Sequence, residues 1–224
     1  MITLKKIIDL FEQEQNKVAS DKMSAYLKHQ FKFYGIRSPT RKLITKPIIT
    51  ATKTYSKSEI KTLVTALWAT AYRELHHLAL DISVNYFKKN TAEKDLEFFI
   101  WMATKNQWWD SIDVIAPKLM GNYFLLFPEK REAFIEKCLT SNDFWLVRCA
   151  ILFPLKYKES TDLDLLFETI LKVPNTKEFF IHKAIGWVLR ENTRLYPEAV
   201  IDFVRDHENK LSNLSKKEAL RLIK

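Results

Sequence analysis

One pair of residues near the middle of the sequence places a carboxylate next to an aromatic ring. Trp109 and Asp113 are four positions apart, so on a helix their side chains lie together. An indole face beside a carboxylate can stabilise a cation. The same spacing also fits a core tryptophan next to a helix-capping or salt-bridged aspartate, and both interpretations stay open. Pro117 lacks the amide that would bond the Asp113 carbonyl, which predicts a bend in this helix.

An arginine in the next segment adds a cationic group. Arg148 lies three residues after Trp145, so the two are neighbours on one helix face. Its guanidinium can bind a backbone phosphate or pair with Asp113. Taken alone, Arg148 also fits a solvated surface arginine. The sequence therefore leaves three roles open for Arg148: a phosphate contact, an ion pair with Asp113, and a solvated surface side chain.

A third segment combines an indole with two cations. Lys183, Trp187 and Arg190 follow one another at the i, i+4 and i+7 positions of a predicted helix. This face is a poor core face and suits DNA, because cations meet phosphates while the aromatic ring packs on sugar or base. Gly186 allows a neighbouring backbone or a ligand to approach closely. The alternative is a surface where long cationic side chains flank one half-buried tryptophan.

The N-terminal part of the chain holds further basic and aromatic residues. The start of a helix at Ser38-Pro39, with Ser38 as the capping hydroxyl, presents a positive end that can receive a phosphate. The residues of this region that we predict to contact DNA are Tyr26, Lys28, Arg37, Arg41 and Lys42.

The elements that carry these residues are predicted to be helices. Apolar residues recur at three-to-four spacing along nearly the whole chain, and strand-like alternation is scarce. The clusters Ser141–Asp143, Ser160–Asp162 and Pro197–Glu198 mark helix starts, whereas Gly121 and Asn122 predict a helix end. Similar helices recur about every 32 to 35 residues, which is typical of helical-repeat proteins. We therefore expect an all-α solenoid of about a dozen helices with a concave basic groove.

Composition narrows the partners and excludes several site types. The 224 residues carry a net charge of +9, which favours a polyanionic partner, although a merely soluble basic protein is the alternative. Three glycines argue against nucleotide-binding loops, and two cysteines without a CxxC pattern fit a reducing compartment. We see no metal motif, no signal peptide and no apolar run long enough for a membrane span. We expect a single domain over residues 1–224.

Several segments together resemble the AlkD family of alkylpurine DNA glycosylases. The segments Trp108–Asp113 and Glu178–Arg190 are the specific ones. The supporting segments are Phe33–Ile36 with Pro39, Leu67–Trp68 with Arg73–Glu74, Trp145–Leu146 with Arg148–Ile151, Leu155–Lys158 and Leu214–Ala219. The resemblance extends over essentially the whole chain. It implies a HEAT-like solenoid that wraps duplex DNA and excises N3- and N7-alkylpurines.

The resemblance also implies roles for individual residues. Asp113 would be the catalytic carboxylate, and Trp109 and Trp187 would pack on the deoxyribose and backbone at the lesion. Arg148 and Arg190 would hold the DNA backbone nearby. Tyr26 and Lys28 would belong to an N-terminal helix that contacts DNA. The catalytic set Trp109, Asp113, Arg148 and Trp187 is present, which places the chain in the active branch of the family.

One position departs from the family pattern. Arg37 stands where members often carry a glutamine, which leaves the local DNA contacts and the lesion preference open. The resemblance implies an enzyme that does not extrude the base into a pocket. Because the sequence shows no sign of a Schiff-base lysine, we expect a monofunctional glycosylase that leaves an abasic site, and we expect no cofactor. We expect a monomer in the bacterial cytoplasm. Two other functions stay open: a non-catalytic solenoid that binds unusual DNA structures, and a protein-scaffold module.

Overall fold

A computed structural model describes residues 2–223 of the chain, and within that range the protein is built from helices. The bridge between Lys32 and Tyr72 is isolated and belongs to no strand. The α-helices are α1 Leu4–Gln13, α2 Lys17–Tyr26, α3 Ser38–Ala51, α4 Lys57–Trp68, α5 Arg73–Asn90, α6 Asp95–Thr104, α7 Trp109–Val114, α8 Gly121–Leu126, α9 Arg131–Leu139, α10 Phe144–Leu152, α11 Leu163–Lys172, α12 Phe179–Thr193, α13 Pro197–Asp206 and α14 Asn213–Ala219. The all-α prediction is confirmed.

Short helical turns connect several of these helices. A π-helical segment, Ile115–Met120, follows α7, and the 3-10 turns are Thr52–Thr54, Pro128–Lys130, Phe153–Lys156 and Lys158–Ser160. None of the helices among residues 2–223 has both the length and the apolar character needed to cross a membrane. The chain divides into two compact units, of which the first ends at Asn90 and the second begins at Thr91.

The first unit is organised around the pair α4 and α5. These two helices pack against each other, α1 packs against α4, and α3 packs against α5. Phe11, Ile60 and Leu67 are among the fully buried side chains of this core. Burying an apolar side chain of this size contributes about 1.5–3 kcal/mol. Ser56 and Glu59 form a reciprocal capping box that fixes the start of α4.

A buried glutamate of α5 anchors the segment that leads into α3. The Glu74 carboxylate accepts hydrogen bonds from the amides of Tyr34, Gly35 and Ile36, at 3.1, 2.8 and 3.1 Å. Gly35 has a φ of +89°, and a Cβ there would lie 2.0 Å from the carbonyl oxygen of Asn16. Only glycine fits this position. The predicted DNA-contacting residues of α3 therefore follow a rigidly held segment.

The start of α3 differs in detail from the prediction. Ser38 is the first residue of the helix, and Arg37 is the N-cap, without a side-chain capping hydrogen bond. Pro39 lies in the first turn, as predicted. The correction is that Ser38 does not cap this helix, because the chain enters it one residue earlier.

In the second unit, the helix type changes around Pro117, where the sequence predicted a bend. The segment Ile115–Met120 contains Pro117 and directly follows α7, which carries Asp113. π-helical turns inside helices occur frequently at functional sites. The predicted helix end at Gly121 and Asn122 is wrong: the π segment continues into α8, which begins at Gly121.

α10 packs against both α7 and α12 in the second unit. The predicted helix starts are confirmed here: Asp143 caps α10, Asp162 caps α11, and Pro197 begins α13. α12 also packs extensively against α14.

Candidate functional site

A bidentate ion pair between Asp113 and Arg148 joins α7 to α10. The Arg148 guanidinium donates from Nε to Asp113 Oδ1 at 2.9 Å and from Nη2 to Asp113 Oδ2 at 3.0 Å. Its remaining nitrogen, Nη1, donates to the carbonyl oxygen of Phe180 at the start of α12. The Arg148 side chain is 5% exposed, whereas that of Asp113 is 18% exposed. The arginine therefore forms the buried base of the pair, and the carboxylate is its more accessible member.

This arrangement decides between the roles that the sequence left open for Arg148. All three guanidinium nitrogens have protein partners, and the side chain is buried rather than solvated. A direct phosphate contact by Arg148, as the resemblance implied, would have to use the second N–H groups of Nη1 and Nη2, on a side chain that is only 5% exposed. The carboxylate is consequently held in place by a guanidinium rather than being a bare group.

Burial and the arginine act in opposite directions on the acidity of Asp113. Burial raises the pKa of Asp113 above its ordinary value, and the nearby charge of Asp110 adds to this shift. The charge and hydrogen bonds of Arg148 lower it, but they do not cancel the effect of burial. An ionised carboxylate at this position is therefore less hydrated than a surface aspartate, and it interacts more strongly with a nearby cation.

Three aromatic rings join the N-terminal ends of the helices that carry the ion pair. Trp108 immediately precedes α7, Trp145 lies in the first turn of α10, and Phe180 lies in the first turn of α12. The ring centroids of Trp108 are 5.8 Å from those of Trp145 and 5.6 Å from those of Phe180. Trp145 and Phe180 are 4.9 Å apart. Each such pair contributes about 0.5–1.5 kcal/mol beyond its buried area, so the cluster fixes the three helices together.

A polar link adds to this aromatic cluster. The Asp143 carboxylate accepts a hydrogen bond from the Trp145 amide at 2.9 Å, which caps α10. The same carboxylate accepts from the side-chain amide of Gln107, in the segment that enters α7. Asp113 and Arg148 lie shortly after these two helix starts. The link therefore sets the register of α7 against α10 and with it the geometry of the ion pair.

The two predicted site tryptophans are half-buried. Trp109 is the first residue of α7, and Trp187 lies in the middle of α12. Neither indole is sealed into the hydrophobic core, and Asp113 is on the same short helix as Trp109. Both helices pack against α10. The fold thus assembles the helices that carry the predicted catalytic residues into one unit.

The cationic face of α12 has an anionic partner that the sequence did not reveal. Lys183 Nζ and Arg190 Nη1 both form ion pairs with the carboxylate of Glu218, on α14. Glu218 is buried, and its side chain is 10% exposed, compared with 37% for Lys183 and 22% for Arg190. The cations are therefore the more accessible members of this cluster.

The two aromatic and basic positions near the N-terminus lie at the end of α2. Tyr26 is the last residue of that helix and is exposed. The resemblance placed Lys28 in the same helix, but the structure puts it in the turn that follows, with a φ of +57°. Lys28 is exposed there. The helix ends because Lys28 and His29 both adopt the left-handed conformation.

The basic residues around the start of α3 have different environments. Arg37 and Lys42 are exposed. Arg41 is buried, and its Nη1 donates to Asp81 Oδ2 of α5 at 2.7 Å. This geometry differs from the expectation of a DNA contact, because Arg41 ties α3 to α5 within the first unit. Arg37 and Lys42 are the accessible cations of this region.

Comparison with known proteins places this arrangement in a family. The family model for DNA alkylation repair enzymes matches residues 7–223. The chain belongs to the DNA alkylation repair enzyme family. A solved structure described as a predicted DNA alkylation repair enzyme from Enterococcus faecalis is similar to it, with a TM-score of 0.85 and 31% identity over 93% of this chain and 96% of that one. Comparison with curated protein sequences finds no significant match. The family resemblance seen in the sequence is confirmed.

Sequence reasoning missed two carboxylates of this DNA alkylation repair enzyme that position other groups. Glu218 lies 35 residues from Lys183, and helical periodicity does not pair side chains on different helices. The link from Asp143 to Gln107 was also missed, although the cluster Ser141–Asp143 was identified as a helix start. The close approach predicted at Gly186 was the available indication that another helix packs there, next to Lys183 and Arg190.

Other chemistries find little support in the described part of this repair enzyme. Across residues 2–223, no group of three or more His, Cys, Asp or Glu side chains has a geometry that could hold a metal ion. Cys138 and Cys149 are buried free thiols, and burial raises the pKa of Cys138 to about 12. A thiol with so high a pKa is a poor nucleophile at neutral pH.

Proposed function

We propose that this DNA alkylation repair enzyme is a monofunctional glycosylase. It hydrolyses the N-glycosidic bond of cationic N3- and N7-alkylpurines in duplex DNA and leaves an abasic site. The observation that carries the proposal is the partly exposed Asp113 carboxylate, held by Arg148 on the helix that begins with Trp109. Family membership supplies the coarser statement, that of an enzyme of DNA alkylation repair.

The chemistry of the substrate explains why one carboxylate suffices. Cleavage of a glycosidic bond builds positive charge on the sugar, and ordinary bases also need an acid to protonate the leaving group. An N3- or N7-alkylated purine already carries a positive charge and departs as a neutral base. The remaining requirements are to stabilise the sugar cation and to orient a water molecule, and Asp113 can meet both.

Arg148 acts through Asp113 in this mechanism. Its two hydrogen bonds orient both oxygens of the carboxylate, and its charge lowers the pKa of Asp113 against the larger effect of burial. We assign it as a positioning residue rather than a phosphate ligand. The faces of Trp109 and Trp187 would add electron-rich surfaces next to the deoxyribose.

Accessible cations would hold the DNA backbone. Lys183 and Arg190 flank Trp187 on α12, and Arg37, Lys42 and Lys28 are exposed in the first unit. Tyr26 is an exposed aromatic residue next to Lys28. Contacts of this kind are made to phosphate and sugar and carry no sequence preference. We propose that the enzyme works on the sugar and backbone without extruding the base into a pocket; a monomer in the bacterial cytoplasm remains a prediction.

Release of the damaged base tests this proposal. Purified protein is incubated with duplex DNA that contains one N7-methylguanine, and free base and abasic sites are measured over time, with the undamaged duplex as control. We expect N7-methylguanine release and an intact abasic strand, without strand cleavage. Binding to both duplexes without release would replace the proposal with a non-catalytic DNA-binding function. Failure to bind either duplex would contradict both.

A further inference from the structure

A buried carboxylate outside the proposed catalytic pair lies among several cations. Glu218, on α14, contacts Lys183 Nζ and Arg190 Nη1, and Arg221 Nη1 is 3.6 Å from its Oε1. A buried carboxylate is costly unless it is paired, and here the pairing is with side chains from another helix. The proposed chemistry does not use Glu218, so its retention at this point needs its own explanation.

The packing of α12 against α14 determines where this carboxylate lies. A Cβ at Gly186 would be 2.6 Å from the Glu218 Cβ and 3.0 Å from the Ser215 carbonyl oxygen, so only glycine allows α14 to approach this closely. Ser215 Oγ donates to the His182 carbonyl oxygen at 2.9 Å and fixes the same contact. Gly186 lies between Lys183 and Arg190 in sequence, so the close approach brings Glu218 to both cations.

Relative exposure indicates which groups face outward. The Glu218 side chain is 10% exposed, whereas those of Lys183 and Arg190 are 37% and 22% exposed. Each cation has further N–H donors beyond the one that contacts Glu218. Without an anion between them, the two like charges would repel each other, and we expect both side chains to turn toward solvent. With Glu218 in place, we expect their remaining donors to be held at the surface.

We propose that Glu218 is a positioning residue that holds Lys183 and Arg190 in place for two phosphates of the DNA backbone. The proposal rests on the proposed function, in which the α12 face contacts DNA. The alternative is that Glu218 competes with the DNA phosphates for the two cations. The two roles predict opposite changes in affinity when the carboxylate is neutralised.

Binding of an undamaged duplex, measured as a function of salt concentration, distinguishes these roles. Glu218→Gln keeps the side-chain volume and raises the net charge by one. Glu208→Gln makes the same change at an exposed position on the chain between α13 and α14. We expect Glu218→Gln to weaken binding by about threefold to tenfold and to lower the salt slope by about 0.9 for each lost phosphate contact. Glu208→Gln should bind at least as tightly as the parent, with an unchanged slope.

A variant that lacks both cations tests whether Glu218 acts through Lys183 and Arg190. In a protein that already carries Lys183→Gln and Arg190→Gln, Glu218→Gln should no longer weaken binding. Equal or tighter binding of the single variant Glu218→Gln would overturn the proposal, and so would an undiminished effect in the variant that lacks both cations. If thermal denaturation shows that Glu218→Gln is unfolded, Glu218→Asp takes its place, because it keeps the charge but shortens the reach; the same criteria then apply.

The assay separates this proposal from the glycosylase proposal. Binding of undamaged DNA does not depend on base release, so a protein that binds but never releases base can still show the Glu218 effect. In that case only the catalytic proposal fails. If Lys183→Gln and Arg190→Gln leave the affinity of the parent unchanged, the α12 face is not the contact surface and the Glu218 proposal fails, whatever the result for catalysis.

Discussion

Two carboxylate–cation clusters in the second unit bury opposite members. In the pair Asp113–Arg148, the arginine is the buried member and the carboxylate is the accessible one. In the cluster of Glu218 with Lys183 and Arg190, the carboxylate is buried and the cations are accessible. The first arrangement presents a fixed negative charge, which suits a developing sugar cation. The second presents fixed positive charges, which suit phosphates.

On the proposed roles, each of these ion pairs serves function as well as structure. Burying such a pair seldom adds stability relative to apolar residues, because desolvation offsets the attraction. What it does provide is a charged group held in one geometry. The buried member of each cluster is therefore the group to remove, and the two removals should have separable effects on catalysis and on DNA binding.

The largest effect is expected from removal of Arg148. Arg148→Gln leaves Asp113 partly buried without its guanidinium, which should lower the free energy of unfolding by about 3–5 kcal/mol. At a temperature where the variant is folded, base release at saturating DNA should fall by about 100-fold, because the carboxylate loses its fixed orientation. DNA affinity should change little, in contrast to Glu218→Gln.

Thermal denaturation, single-turnover base release and duplex binding check this prediction together. Arg194→Gln, which removes an exposed arginine just after α12, is the matched stability control. A large loss of DNA affinity with normal base release at saturation would show that Arg148 serves the phosphates, and the contrast between the clusters would break down.

A smaller effect on stability is expected from a change at Gly186, where α14 packs against α12 and Glu218 is positioned. Gly186→Ala introduces a Cβ 2.6 Å from the Glu218 Cβ and 3.0 Å from a backbone oxygen, so α14 must move. We expect the free energy of unfolding to fall by about 1–3 kcal/mol. DNA binding should weaken as in Glu218→Gln. Denaturation and duplex binding measure both, and an unchanged affinity in a destabilised variant would separate the packing from the cation geometry.

The link between α7 and α10 should contribute less. Gln107→Ala removes the hydrogen bond to Asp143 and leaves the cap on Trp145 intact. A hydrogen bond to a charged group contributes about 1.5–3 kcal/mol, so a loss near the lower value is expected for this partly exposed contact. Base release should fall modestly. An unaffected melting temperature would show that the aromatic cluster alone sets the register.

The pH dependence of base release sharpens the account of Asp113. Burial holds the pKa of Asp113 above the ordinary value of 3.8. As the pH is lowered, the rate of base release should therefore begin to fall while the pH is still above 3.8, because Asp113 becomes protonated. The folded-state pKa lies above that of the unfolded chain. Asp113 therefore contributes to the free energy of unfolding at a pH below its ordinary pKa, and this contribution is lost as the pH rises through the folded-state pKa. A pH–rate profile without an acidic limb would contradict this assignment.

Much of the fold and some of the site could be predicted from the sequence. Helical periodicity gave the all-α class. The clusters Ser141–Asp143 and Ser160–Asp162 marked true helix starts because a capping side chain acts on its own backbone neighbours. The missing amide of Pro117 predicted a bend, and the chain has a π-helical segment around that residue. These features depend on local interactions, which a sequence displays directly.

The features that were missed depend on contacts between helices. The sequence left the partner of Arg148 open, because a guanidinium can serve a phosphate or a carboxylate equally well until a neighbour is placed. Arg41 was expected at the DNA, but Asp81 of α5 pairs with it. Glu218 lies on a helix whose position is set by packing at Gly186. Pairings of this kind follow from helix packing, which periodicity does not specify.

The central claim is that Asp113 stabilises the sugar cation, and single-turnover base release by Asp113→Asn tests it most directly. Asp164→Asn, at an exposed carboxylate in the first turn of α11, is the matched control. With both variants folded and saturated with duplex DNA containing N7-methylguanine, we expect Asp113→Asn to release base at least about 100-fold more slowly than the parent. The control should match the parent. Equal rates for Asp113→Asn and the parent would contradict the account.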